Sequence, residues 1–156
     1  MTFICVNCRQ TISFISMDLE RFLKAQNLVY LQAMQEVRSG QKRSHWMWYI
    51  FPQITNLGSS DTARYYVIKD GQEAKAFLEH PVLGENLRKI SSVLLDLQDC
   101  SAEGIFGTVD ALKLRSCMTL FDSVSEHETI FRGVIEKYFA GQLDNKTIAI
   151  LQALDS

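Results

Sequence analysis

The sequence predicts an all-α chain, a single domain of roughly seven to nine helices in an orthogonal array. Three observations carry that expectation. From residue 18 onward apolar side chains recur at i, i+3, i+4, i+7 spacing. No segment alternates with the period of a strand. The interruptions between periodic segments hold Gly, Pro, Asn and Ser, the residues that end helices and build turns. At 156 residues, 47% of them hydrophobic and 22% charged, the chain is long enough for one sizeable core and too apolar for intrinsic disorder.

Leu19, Phe22, Leu23, Val29, Tyr30, Ala33, Met34 and Val37 mark a first helix over about 18–38, with Gln26 the polar exception on its stripe. Asp18 is placed to cap it and Gly40 to stop it. A short helix over about 45–51 follows, with Ser44 as its expected N-cap and Pro52 as its end. A turn through Asn56, Gly58, Ser59 and Ser60 leads to helical stretches near 60–69 and 72–79. Pro81 suits a first turn, and Leu83, Leu87, Ile90, Val93, Leu94 and Leu97 run on to about Asp99. Ser101 to Phe106 reads as one short turn of helix closed by Gly107, before a longer helix from Asp110 to Val124. Ile130 to Phe139 is stopped by Gly141, and Asp144 caps the last helix, which carries Ile148, Ile150, Leu151 and Leu154.

Residues 1–16 differ in character from this pattern. Their apolar positions are interrupted by Asn7, Cys8, Arg9, Gln10 and Thr11, which denies them the unbroken apolar core of a secretory signal. They are expected to be a poorly packed leader or a mis-assigned start, with Met17 opening a single domain over 17–156. Cys5 and Cys8 form one C-x2-C pair without a second pair or a spaced His pair, so no metal site is expected. Unclustered cysteines point to a reducing, cytoplasmic setting. A net charge of −2 argues against a nucleic-acid partner. Lys42, Arg43 and Arg38 read as a solvated basic connection, and no apolar run has the length of a membrane span.

Two segments hold the residue types that chemistry needs. Ser44 to Gln53 contains both tryptophans and His45, the one histidine beside them. Trp46 and Trp48 have flat faces suited to stacking a ring, Gln53 an amide suited to reading a polar edge, and His45 a pKa suited to proton transfer. The competing reading makes the tryptophans core and His45 a hydrogen-bonded structural residue. In the second segment, apolar residues from Leu112 to Phe121 cover most of the helix circumference around Lys113, Arg115, Ser116 and Thr119. An arginine there needs a carboxylate, with Asp110, Asp122, Glu36 and Glu20 available, or an anionic ligand. The expected site is a pocket of His45, Trp46, Trp48, Gln53, Arg115 and Ser116 for a small anionic or nucleotide-like ligand, with no cofactor implied. If the chain is an enzyme, His45 is the candidate acid–base and Arg115 the anion clamp. A helical module for a protein partner is the alternative.

These segments also carry a resemblance. Ser44 to Gln53, Leu57 to Ser59, Ile105 to Gly107 with Asp110, and Leu112 to Phe121 resemble the bacterial "domain of unknown function 1810" family. His80, Pro81, Leu83, Gly84, Lys137, Tyr138 and Phe139 match it in order, so the resemblance covers about 17–152. It implies an all-helical, single-domain cytoplasmic protein and supplies neither a reaction nor catalytic residues. Members are often labelled calpastatin, an inhibitor that is an extended polar chain with repeats. The apolar content and helical periodicity of this sequence contradict that label.

Overall fold

The stretch from Leu114 to Phe121, apolar on nearly every side, lies at the centre of the fold, within a helix over Ala102–Val124. The computed structural model describes residues 2–58 and 60–155, with side chains from Leu19 onward. In chain order its eight helices are α1 (Thr2–Arg38), α2 (Met47–Ile50), α3 (Asp61–Tyr65), α4 (Gly71–Glu79), α5 (Leu83–Asp96), α6 (Ala102–Val124), α7 (Ile130–Phe139) and α8 (Asn145–Asp155). Among the described residues there is no strand, only an isolated parallel bridge between Ile54 and Ile68. Helix α6 packs against α4, α7 and α8, while α5 packs against α1, α4 and α7. A line of aromatic contacts runs through the core from Phe22 to Phe77, Phe121 and Phe131, with ring centroids 5.2, 5.4 and 6.0 Å apart.

Several helix ends differ from the sequence expectation, each for an identifiable reason. Helix α1 extends back past Asp18 to Thr2. The expected cap at Asp18, the leader expected over 1–16 and the Cys5–Cys8 pair lie outside the residues whose side chains are described. Helix α3 stops at Tyr65 rather than near 69, because the Arg21 guanidinium draws the Tyr65 and Val67 carbonyls away from helical geometry, at 2.9 and 2.6 Å. Helix α5 stops at Asp96 rather than Asp99, where the Lys137 ammonium donates to the carbonyls of Leu94, Leu95 and Leu97. At its other end, His80 Nδ1 accepts from the Val82 and Leu83 amides, an imidazole in the place of a capping oxygen.

The break expected at Gly107 is present as a kink inside α6, with φ 82° and ψ 166°. Only glycine adopts that backbone region without strain. The kink aims the second half of α6, and with it Lys113, Arg115 and Ser116, independently of the first.

Ser44 is not the cap of α2. Trp46 occupies the N-cap position without a side-chain capping bond to the helix amides. The Ser44 hydroxyl instead donates to Glu36 Oε2 at 2.7 Å and accepts from Gln32 Nε2. Glu36, buried on α1, is the reason. Its Oε1 accepts from the Arg43 amide, the Ser44 amide and the Trp46 indole N–H at 2.7, 3.0 and 3.0 Å. Burial alone would raise the Glu36 pKa, but these donors together outweigh it and hold it down at about 2.

The Glu36 carboxyl titrates below its ordinary 4.5, so its contribution to stability is complete above that pH and is lost as pH falls toward about 2. The shift corresponds to about 3 kcal/mol. Glu36→Gln is expected to lower the unfolding free energy at neutral pH by about 2–4 kcal/mol and to make the acid limb of stability shallower. Urea titrations across that pH range measure both effects, and an acid limb as steep as in the parent chain refutes the assignment. Gly107→Ala is expected to cost about 1–3 kcal/mol in the same assay.

Candidate functional site

Helix α2 is a single turn, and it separates the two tryptophans. Trp46 points inward, its indole held by Glu36 and its rings tilted against Phe51 and edge-on to Phe106, with centroids 6.3 and 6.4 Å away. Trp48, two residues on, faces the other way and is half-buried. Lys113 Nζ lies 4.3 Å from the centroid of its ring. A Cβ at Gly58 would stand 2.7 Å from Ala63 Cβ and 3.0 Å from Trp48 Cη2, so only glycine lets this loop close on the indole edge. Past Pro52, the Gln53 carbonyl accepts from the Ile68 amide at 2.8 Å, beside the Ile54–Ile68 bridge. That pins the Gln53 backbone while its side chain, in a residue only 4% exposed, lines a cavity.

The opposite wall comes from α6 and the start of α8. Asp110 binds Lys42 Nζ at 2.9 Å and Lys113 Nζ at 3.1 Å. Burial would raise the Asp110 pKa, but hydrogen bonds and charge from both lysines leave it lowered. Lys42 is therefore not part of a solvated connection as the sequence suggested. Its side chain is nearly buried, with its ammonium 5.1 Å from the Trp46 ring centroid. Ser116 Oγ and Thr147 Oγ1 lie 2.8 and 2.6 Å from Asp144 Oδ2. The Asp144 amide donates to Thr119 Oγ1, which itself donates to the Arg115 carbonyl. The start of α8 is thus tied to α6 by a closed set of buried polar contacts.

Arg115 does not make the ion pair that its position called for. Asp110 is held by the two lysines, Asp122 by Arg132 at 2.7 Å, Glu36 by the α1–α2 connection, and Glu20 is exposed. Arg115 Nε is buried without a hydrogen-bond partner, and so is Gln53 Nε2. Both residues line the same cavity of about 430 Å³, together with Trp48, Leu57, Gly58, Lys113, Ser116, Asp144 and Lys146. A neighbouring cavity of about 520 Å³ shares Arg115, Asp144 and Lys146 with it.

Of the residues singled out in the sequence, the structure brings Trp48, Gln53, Arg115 and Ser116 together and leaves two apart. Trp46 is sealed in the core, and His45 is exposed and is not among the residues lining this cavity. The His45 carbonyl accepts from the Tyr49 hydroxyl at 3.0 Å. Sequence reading missed Lys146. The available signal was electrostatic, since a lysine in the first turn of α8 opposes the helix dipole. No grouping of His, Cys, Asp and Glu suited to a metal ion occurs among the described residues.

Ser116 lines the cavity, yet it also supports the buried Asp144 carboxylate. Ser116→Ala is expected to destabilise the chain by about 1–2 kcal/mol, read by chemical denaturation. A change within a few tenths of that unit would show that Asp144 does not depend on the hydroxyl.

The model of a family described as a protein of unknown function (DUF1810) matches residues 16–151. Among solved structures, the chain is similar to the conserved hypothetical protein Rv1873 from Mycobacterium tuberculosis, whose crystal structure is known at 1.38 Å. The two are 43% identical with a TM-score of 0.85, over 86% of this chain and 96% of the other. No curated protein matches the chain. An all-helical chain carrying that family's pattern from end to end of the match, and superposing on a conserved hypothetical protein at this identity, belongs to the DUF1810 family.

Proposed function

We propose that this chain binds a small anionic, nucleotide-like ligand in the cavity walled by Trp48, Gln53, Arg115 and Ser116. The observation that carries the reading is the pair of unpartnered buried donors, Gln53 Nε2 and Arg115 Nε, on residues of one cavity wall. Leaving such a donor unpaired costs about 1–3 kcal/mol, and folded chains rarely accept that twice in one place. An acceptor-rich ligand supplies both once the two side chains turn these N–H groups toward the cavity they line. With Lys113 paired to Asp110, Arg115 and Lys146 still leave the cavity a positive balance against the one carboxylate in its lining, Asp144. No helix among the described residues is long and apolar enough to cross a membrane, and Cys100 and Cys117 are free thiols. The free thiols support a reducing, cytoplasmic setting.

A second reading, a module for a protein partner, has its own observation. Leu28 and Leu31 on α1 are 85% and 78% exposed, and with Val82 they line a separate cavity of about 240 Å³. Exposed leucines of that size one turn apart contribute nothing to the core.

The unpaired donors give a test that separates binding from packing. Gln53→Leu and Arg115→Met are expected to leave stability unchanged or raise it by about 1–2 kcal/mol, while abolishing the thermal shift produced by inorganic phosphate or AMP. A side chain serving the fold gives the opposite result, a loss of stability. No shift of the parent chain by any anion, at concentrations far above plausible affinity, sinks the proposal.

A further inference from the structure

We infer that the ligand of this cavity is an amphiphilic organic oxyanion, its charged head at Arg115 and Lys146 and a flat apolar body between Trp48 and a lip formed by Val109 and Leu112. The inference rests on the anion-binding reading above and adds what else the ligand must be. Val109 and Leu112 lie one turn apart on the same face of α6, 67% and 52% exposed, and both line the cavity. Further along the same helix Leu114, Cys117, Met118, Leu120 and Phe121 are all buried, so the two exposed residues depart from the helix's own pattern. An inorganic anion has no use for them. It needs donors and cations alone, and fills little of a cavity of about 430 Å³, a volume within the range of small-molecule sites.

The chemistry of the lining is divided in the same way. The cations Lys113, Arg115 and Lys146 supply the charge, and Trp48, Leu57, Val109 and Leu112 supply the apolar area. Trp48 is held as a fixed wall, its edge against Gly58 and its ring beside Lys113. Gln53 adds an uncharged amide to the wall, in one of the most buried residues of the cavity. The class is therefore an aryl or heteroaryl phosphate or carboxylate.

The test uses pairs of probes that differ only in the body: phenyl phosphate against inorganic phosphate, and benzoate against acetate. Calorimetric titration of the full chain is expected to show the aryl member binding on the order of tenfold tighter in at least one pair, the pair identifying the head group. Leu112→Ser, a change at an exposed position, is expected to remove most of that advantage and leave the small anion's affinity unchanged. Quenching of tryptophan fluorescence by the aryl probe is expected to disappear in Trp48→Phe, since Trp46 is sealed in the core. Equal affinity within both pairs, an equal effect of Leu112→Ser on both members, or quenching that survives in Trp48→Phe overturns the inference while leaving anion binding intact. Failure of every probe to bind overturns the anion-binding reading itself, and this inference with it.

Discussion

The arrangement of this molecule depends on one buried carboxylate. Glu36 leaves α1 into the space beneath the α1–α2 connection and gathers the amides of Arg43 and Ser44, the Ser44 hydroxyl and the Trp46 indole. A carboxylate so placed is tolerated only when its oxygens are supplied with donors, and here the donors come from the loop itself. The connection thereby acquires one path. That path turns Trp46 inward and, two residues later, Trp48 outward. The constraint then passes along a chain of contacts: Lys42 lies beside the Trp46 ring and reaches Asp110, and Asp110 holds Lys113, whose ammonium stands over Trp48. The core lock and the cavity wall are two ends of one structure.

Two polar sets meet at Arg115, and they contrast. Below it, Asp144 is surrounded by Ser116, Thr147 and Thr119 with its carboxylate and amide supplied, the condition expected of buried polar groups. Above it, Arg115 Nε and Gln53 Nε2 are buried and unsupplied. The chain completes one set and leaves the other open, because Asp110 and Asp122 on α6 are held by Lys42, Lys113 and Arg132. The difference in treatment between adjacent sets is what gives the unpaired donors meaning, more than their burial alone.

Much of the fold was legible because helical periodicity reports burial directly, as the stripe of α1 shows, and because glycine marks the stop at Gly40 and the break at Gly107. The misread features share a physical cause: each depends on a partner distant in sequence. Ser44 has the chemistry of a cap, and local rules assign it to α2, but Glu36 outcompetes the helix for its hydroxyl. The end of α3 depends on Arg21, which stands more than forty residues away. The site was legible by half for the same reason. Arg115 on an apolar helix announced an unusual demand, but which carboxylates were already taken is a tertiary fact. Trp46 and Trp48 carry identical side chains two residues apart, and nothing local says which one Glu36 will claim.

The cavity is walled by parts that are fixed before any ligand arrives. Gln53 is pinned through its carbonyl to Ile68, Trp48 is wedged by Gly58 and Lys113, and the Arg115 carbonyl is bound by Thr119, whose hydroxyl also receives the Asp144 amide. Arg115 brings a planar fork to the cavity and Lys146 a flexible ammonium. A site of this kind needs little ordering on binding, so the free energy of contact is not spent on closing a loop. Selectivity then comes from shape and from where the donors stand. In the proposed anion-binding reading, the Trp48 wall and the buried Gln53 amide set those terms, and Arg115 and Lys146 supply the charge.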